Sequence, residues 1–198
     1  MMRITHALAL FAAVSALTTV SANAQSPSLS DQITVKGGIF TPAKGPVKDV
    51  DKNWWIGGAE YAFGNPDAQA VNSLEVLYSS KSGTVTPSGS AGIESKYKVL
   101  SFALNHKIRR VAKDTVPLGN ILFYGGGIGL DYVDVKIADP NTGGEGNISK
   151  KKTVGGANLF IGYDIAANFQ IEAKYQFALG KVADRDVSGP QFLLGFKF

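Results

Sequence analysis

Hydrophobic and polar residues alternate along several short segments of the chain, most regularly between positions 169 and 179. In that segment the odd positions are apolar or aromatic, whereas the even positions include Glu172 and Lys174. Successive side chains of a β-strand point to opposite faces, so a period of two predicts a strand with one apolar face. The last segment follows the same rule, because Phe192, Leu194 and Phe196 share a face with the terminal Phe198.

The same pattern predicts eight strands, separated by stretches rich in Gly, Pro, Ser and Asn. We expect the strands near residues 32–40, 54–63, 73–78, 96–106, 121–135, 150–165, 169–179 and 189–198. The main connections are expected at 41–53, 80–94, 108–118 and 139–149. The stretch from Tyr124 to Gly129 contains four glycines, but it continues a strand pattern instead of opening a helix, so we interpret it as strand and not as a nucleotide loop.

An even number of antiparallel strands without a helix-sized apolar run predicts an all-β, up-and-down barrel. Alternation alone does not tell whether the apolar face looks out to lipid or in to a ligand, as in a soluble lipocalin-type barrel. Aromatic residues favour lipid, because they gather at both ends of the predicted strands, as in the belts of membrane proteins. The two sets are Phe63, Tyr124, Tyr163, Phe169 and Phe198 at one end, and Trp55, Tyr78, Tyr132, Phe177 and Phe192 at the other.

The first residues have the composition of a cleaved secretory leader. Arg3 precedes an apolar core at 7–20, and Ala22-Asn23-Ala24 supplies a small-residue cleavage signal. We therefore expect a signal peptide at 1–24 and one barrel domain at 25–198. The formal charge of +4 falls to +3 without Arg3 and is not concentrated in one segment, which gives no support to nucleic-acid binding. The chain has no cysteine, which excludes disulfides and thiolate metal sites.

The stretch from Gly162 to Phe177, together with the strand that ends at Phe198, resembles the outer-membrane β-barrel superfamily of the OmpX and OmpA transmembrane type. The resemblance implies a location in the outer membrane of a Gram-negative bacterium. It also implies insertion by the outer-membrane assembly machinery, which reads the last strand, here with Phe196 and Phe198. Barrels of this kind serve as adhesins, structural barrels, narrow pores or lipid-modifying enzymes, so the resemblance does not imply one shared activity.

The polar face of the predicted strands carries charged residues of both signs that would face the barrel interior. They are Lys36, Glu60, Glu75, Glu172, Lys174 and Lys197. A barrel of eight strands has an interior largely filled by side chains, so we expect a plugged ionic core. A gated pore of low conductance is the alternative.

No catalytic, cofactor or metal site is predicted. His106 is the histidine that remains after removal of the leader, and no local serine or carboxylate pattern accompanies it, which leaves a lipid A modifying enzyme as the weakest alternative. The run Lys150, Lys151 and Lys152 is a candidate contact for lipopolysaccharide phosphates, although a solvated loop end explains it equally well. We thus expect a monomeric, non-enzymatic barrel in contact with outer-membrane lipids, which presents its loops to an unknown extracellular partner.

Overall fold

Eight antiparallel strands form a closed barrel, in which each strand pairs with its sequence neighbours and β1 pairs with β8. The computed structural model describes residues 33–43, 53–63, 68–85, 92–110, 121–138, 146–166, 168–184 and 186–198. The strands are β1 (Ile33–Phe40), β2 (Trp54–Phe63), β3 (Ala70–Val85), β4 (Ile93–Arg110), β5 (Ile121–Ala138), β6 (Ile148–Ala166), β7 (Phe169–Ala178) and β8 (Gly189–Lys197). The predicted eight-stranded barrel is confirmed. The predicted leader, 1–24, lies outside the described residues.

The middle strands are longer than their pattern predicts. β3 continues to Val85, into the expected connection 80–94, and β4 continues to Arg110, into the expected turn at 108–118. The alternation of apolar residues weakens in both extensions, because one extension carries Ser, Gly and Thr and the other carries inward cations. The prediction from hydrophobic periodicity therefore placed the ends of these two strands too early.

The strands are inclined to the barrel axis. Paired residues can be followed around the barrel from Ala70 through Ile108, Tyr124, Ile161, Ala173, Phe192, Ile39 and Trp55. The path returns to β3 at Ser80 instead of Ala70. Such a shift is the stagger that closes a barrel with tilted strands. Among the described residues there is no helix of the length and apolarity needed to cross a membrane.

Up to the distal end of the barrel, the apolar face of each strand points outward, as the sequence predicts. Leu130, Leu159 and Leu194 are all more than half exposed, whereas their sequence neighbours Asp131, Asn158 and Leu193 are buried inside. Aromatic side chains mark both ends of this outer face. Phe63 and Phe198 lie at the end where β1 begins and β8 ends, hereafter the terminal end, and Trp55 and Tyr132 lie towards the other, distal end. The outer face therefore has the arrangement of a lipid-exposed belt.

Strand length divides the barrel into a closed part and an extension. β3, β4, β5 and β6 have 16–19 residues, whereas the other four have 8–10. Pairing of β3 with β2 stops at Ser80, and pairing of β6 with β7 stops at Gly156. Residues 81–85, 93–99, 133–138 and 148–154 thus continue past the rim as a four-stranded sheet, which we call the protruding sheet.

Candidate functional site

A cluster of charged side chains fills the barrel interior, with Lys36 at its centre. The Lys36 Nζ atom lies 2.5 Å from Glu60 Oε2, 2.7 Å from Glu75 Oε2 and 2.9 Å from Glu172 Oε2. These four side chains are at most 4% exposed. β1, β2, β3 and β7 each contribute one of them, so the cluster ties together strands that are far apart in sequence.

Two further lysines complete the cluster. Lys174 forms ion pairs with Glu75 and with Glu172, at 3.2 Å from the latter. Lys107 lies 2.9 Å from the second carboxylate oxygen of Glu60. Its ammonium group also lies 4.7 Å from the centre of the Phe123 ring, a cation–π distance. Three lysines and three glutamates therefore balance one another in this layer.

Lys197, which the sequence grouped with these residues, belongs to a separate layer nearer the terminal end. Its Nζ atom lies 2.6 Å from Asp164 Oδ1, and Arg109 Nη2 donates to Asp164 Oδ2 at 2.8 Å. Lys197 is the last residue of β8 and pairs with Thr34. Its side chain therefore enters the interior nearer the terminal end than the Lys36 cluster does. Lys107 and Arg109 were not predicted as interior residues, because both fall at the end of β4, next to or within the predicted turn.

Buried amides form the next layer towards the distal end. Asn158 Nδ2 donates to Asn105 Oδ1 at 3.0 Å, and Gln176 Nε2 donates to Asp131 Oδ2 at 3.0 Å. Gly127 makes room for this layer, since a Cβ atom there would lie 2.0 Å from Asn105 Oδ1. Gly127 is therefore required by the packing of a narrow interior.

Apolar side chains close the interior at the distal end. Trp54 is fully buried, stacks on Tyr97 with ring centres 5.4 Å apart, and receives the edge of Phe40 at 5.3 Å. Val182 and Val187, from the connection between β7 and β8, pack into the same cluster and are 2% exposed. This aromatic layer was not predicted, because the sequence pattern assigned the outward Trp55 to an aromatic belt and gave no role to Trp54.

The connection between β7 and β8 lies across the barrel end as a lid. Ala183 and Asp184 have φ angles of 50° and 59°, a left-handed turn that non-glycine residues adopt at a cost. Ser188 fixes the returning chain, because its hydroxyl accepts from the Ala178 N–H at 2.9 Å and its carbonyl accepts from the Ala43 N–H at 2.9 Å. Val182, Val187 and Ser188 thus continue the packed interior up to the rim.

The protruding sheet carries lysines on both faces. On the outer face, above Tyr132, Lys98 and Lys151 flank Asp134, and Lys151 Nζ lies 4.0 Å from the Asp134 carboxylate. One step further from the barrel, Lys96 stands directly opposite Lys136. Like charges in directly opposite positions are unfavourable, so this pair favours an anion as a neighbour.

The run from Lys150 to Lys152 is divided between the two faces. Lys151 joins the outer face, whereas Lys150 and Lys152 share the face of the buried Val154. Lys152 Nζ donates to the Lys181 carbonyl of the lid at 3.5 Å. All three lie on the edge of β6 beyond its pairing with β7, where lysines prevent strands of other chains from pairing.

His106 lies on the outer face and shows no catalytic arrangement. Its Nδ1 atom lies 2.8 Å from Asn72 Oδ1 on the neighbouring strand. The part of the chain that the structure describes contains no cluster of His, Asp and Glu suited to a metal ion. Nothing in this geometry supplies a nucleophile activated by the histidine.

The C-terminal residues close the barrel. The Phe198 N–H donates to the Ile33 carbonyl at 3.0 Å, and the Phe196 and Phe198 rings meet edge to face with centres 5.1 Å apart. Both rings are exposed on the outer face at the terminal end. They are therefore accessible there, where we predict that the assembly machinery reads them.

No family model and no curated protein matches the chain. Its structure resembles that of Ail, the attachment invasion locus protein of Yersinia pestis, which was solved in complex with the heparin analogue sucrose octasulfate. The two sequences are 17% identical, the match covers 84% of this chain and 97% of that chain, and the TM-score is 0.50. Neisserial surface protein A matches with 16% identity over 84% and 95% of the two chains (TM-score 0.48). The N-terminal β-barrel domain of Pseudomonas aeruginosa OprF matches with 11% identity over 85% and 98% (TM-score 0.42). The chain thus has the fold of the small outer-membrane eight-stranded barrels.

Proposed function

We propose that the protein is a non-enzymatic barrel of the outer membrane that holds the protruding sheet at the cell surface. The apolar outer face with its two aromatic belts supports the membrane location, and the predicted leader at 1–24 supports export. The closed interior supports a role in presentation and not in transport. In this function the protein acts as a monomer, and removal of the leader leaves Gln25 as the first residue.

The packed interior is the observation that carries the proposal. Ionic, amide and aromatic layers follow one another along the axis, and the side chains of Lys36 and its three glutamate partners are at most 4% exposed. We expect refolded protein to shift on a gel after heating, as folded barrels do, and to give no discrete steps in planar bilayers. Reproducible conductance steps that change in Lys174→Ala would favour the small pore instead.

We further propose that the outer face of the protruding sheet binds the anionic groups of lipopolysaccharide. Lys98 and Lys151 lie just beyond the distal aromatic belt, and Lys96 and Lys136 lie one row further out. Lipid A phosphates occupy this height, and ammonium groups bind phosphate through charge and hydrogen bonds. We therefore propose Lys96, Lys98, Lys136 and Lys151 as the contact, a set that shares only Lys151 with the run 150–152 expected from the sequence.

Charge-matched variants separate the two faces. We expect Lys96→Gln with Lys136→Gln to weaken binding of purified lipopolysaccharide to the protein in detergent about tenfold, a loss of about 1.4 kcal/mol. Lys150→Gln with Lys152→Gln removes the same charge from the other face and should leave binding unchanged. Equal losses in both variants would show that net charge, and not the site, governs the contact.

A soluble acidic polysaccharide is the second candidate ligand for the same lysines. The unfavourable Lys96–Lys136 pair favours any polyanion, and the Ail structure was solved with a heparin analogue. Displacement of bound lipopolysaccharide by heparin would show that both use this face. A catalytic role predicts altered lipid A masses on expression, which we do not expect, because His106 has Asn72 as its partner.

A further inference from the structure

Two polar residues lie on the outer face at the level of the terminal aromatic belt, where Asn72 pairs with Phe63 on β2. Asn72 on β3 and His106 on β4 are directly paired, and the His106 Nδ1 atom lies 2.8 Å from Asn72 Oδ1. Both side chains are partly exposed on the face that also carries Leu74 and Phe102. Aromatic belts lie at the level of the lipid headgroups, so this pair is placed to meet a headgroup.

A groove on the outer face begins beside this pair. It encloses about 420 Å³ and is lined by Leu104, His106, Gly126, Ala157, Leu159 and Phe177. The small residues Gly126 and Ala157 form its floor. His106 pairs with Gly126, whereas Ala157 pairs with Phe177, so the groove runs from the polar pair towards the distal belt.

The polar pair keeps hydrogen-bonding capacity for a ligand. Its mutual bond uses Nδ1 of His106 and Oδ1 of Asn72, which leaves Nε2 of the ring and the amide nitrogen of Asn72. Amide N–H groups donate to phosphate and ester oxygens. A second groove, of about 650 Å³ around Ala173, is lined mostly by apolar side chains such as Ile171 and Leu194, and its polar group on the outer face is the Tyr163 hydroxyl instead of an amide and an imidazole.

We propose that the groove from His106 to Phe177 binds one phospholipid. An acyl chain lies along Gly126 and Ala157, and the ester or phosphate oxygens accept hydrogen bonds from Asn72 and the His106 ring. The direction of the groove identifies the leaflet. The polar end of the groove lies near the terminal end of the barrel, whereas the protruding sheet stands at the other end, on the cell surface. The lipid headgroup at this polar end therefore belongs to the inner, phospholipid leaflet and not to lipopolysaccharide. This inference rests on the proposed membrane location.

Native mass spectrometry of the protein in mild detergent, with phosphatidylethanolamine and phosphatidylglycerol added, tests the site. We expect one phospholipid to stay bound to the unaltered protein. Ala157→Leu fills the groove, and Asn72→Leu with His106→Leu removes the polar end, so each should lower the bound fraction about tenfold at fixed lipid. Ala59→Leu makes the same change at an exposed outward position on β2 and should have no effect.

The leucine pair makes the outer face more apolar, so it should insert even if Ala157→Leu does not fold. Equal retention in all folded variants, a bound lipopolysaccharide in place of a phospholipid, or a protein dimer that occupies the groove would overturn the proposal. A heat shift on a gel reports barrel folding independently. Loss of that shift in the unaltered protein would refute the membrane barrel itself, whereas a normal shift without bound phospholipid would refute the groove alone.

Discussion

Replacement of Lys36 by methionine tests the ionic interior most directly. Methionine keeps much of the volume of lysine but removes the charge that contacts Glu60, Glu75 and Glu172. Lys107 and Lys174 remain, so two ammonium groups then face three buried carboxylates. Removal of one partner from a buried ion pair costs about 3–5 kcal/mol, because a charge is left without compensation in a medium of low polarity.

Equilibrium unfolding in urea, with the protein in lipid vesicles, measures this loss. Trp54 lies inside the barrel and Trp55 outside, so tryptophan fluorescence reports the transition, and gel mobility before and after heating confirms it. We expect the free energy of unfolding of Lys36→Met to fall by about 3–5 kcal/mol. Lys197→Met is the control, since Lys197 is 21% exposed and Asp164 keeps Arg109, and it should lose about 1 kcal/mol or less.

A second substitution distinguishes lost charge balance from lost packing. Glu172→Gln in the Lys36→Met background leaves two lysines and two glutamates, with Lys107 on Glu60 and Lys174 on Glu75. We expect the double variant to be more stable than the sum of the two single losses by at least about 1 kcal/mol. Additive losses, or a Lys36→Met loss no larger than that of Lys197→Met, would refute the central role of Lys36.

Three further predictions concern the outer face, the amide layer and the lid. Leu194→Arg, on the lipid-facing side of β8, should lower stability in vesicles by about 2–4 kcal/mol, whereas Leu179→Arg, beyond the end of β7, should cost about 1 kcal/mol or less; similar losses would contradict the orientation of the apolar face. Gly127→Val should reduce the yield of heat-modifiable protein, because its Cβ atom meets Asn105, while Gly37→Val, with open space around it, should refold normally. Ala183→Gly should raise the urea midpoint, since it relieves a φ of 50°; an unchanged or lower midpoint would show that the turn is not strained.

The sequence was sufficient to predict the barrel and the orientation of its strands. The reason is physical: a strand between lipid and a polar interior must alternate, and the alternation around Glu172 and Lys174 reports both faces at once. The same signal fades where neither face meets lipid. Residues 81–85 stand clear of the belt, and their pattern predicted a connection instead of the end of β3.

The interior was only partly predictable, because its contacts depend on the stagger between strands. The alternation of side chains along each strand predicted that Lys36 and Lys197 both face the interior, but it did not give their positions along the barrel axis. The register separates them and brings Lys107 to Glu60. The same alternation divides the three lysines of the run 150–152 between two faces, whereas the prediction from local charge treated them as one contact.

The unequal strand lengths also determine the order in which the barrel folds. Val85 pairs with Ile93 across a single short connection, whereas the contact between β1 and β8 joins Thr34 to Lys197. Loop-closure entropy makes the first kind of contact fast and the second slow. We therefore expect the long hairpins of β3 to β6 to form early and the closure of β1 onto β8 to come last and to limit the rate. Mutations in that final pairing should change the folding rate of the whole barrel, while mutations in the long hairpins beyond the rim should leave it unchanged.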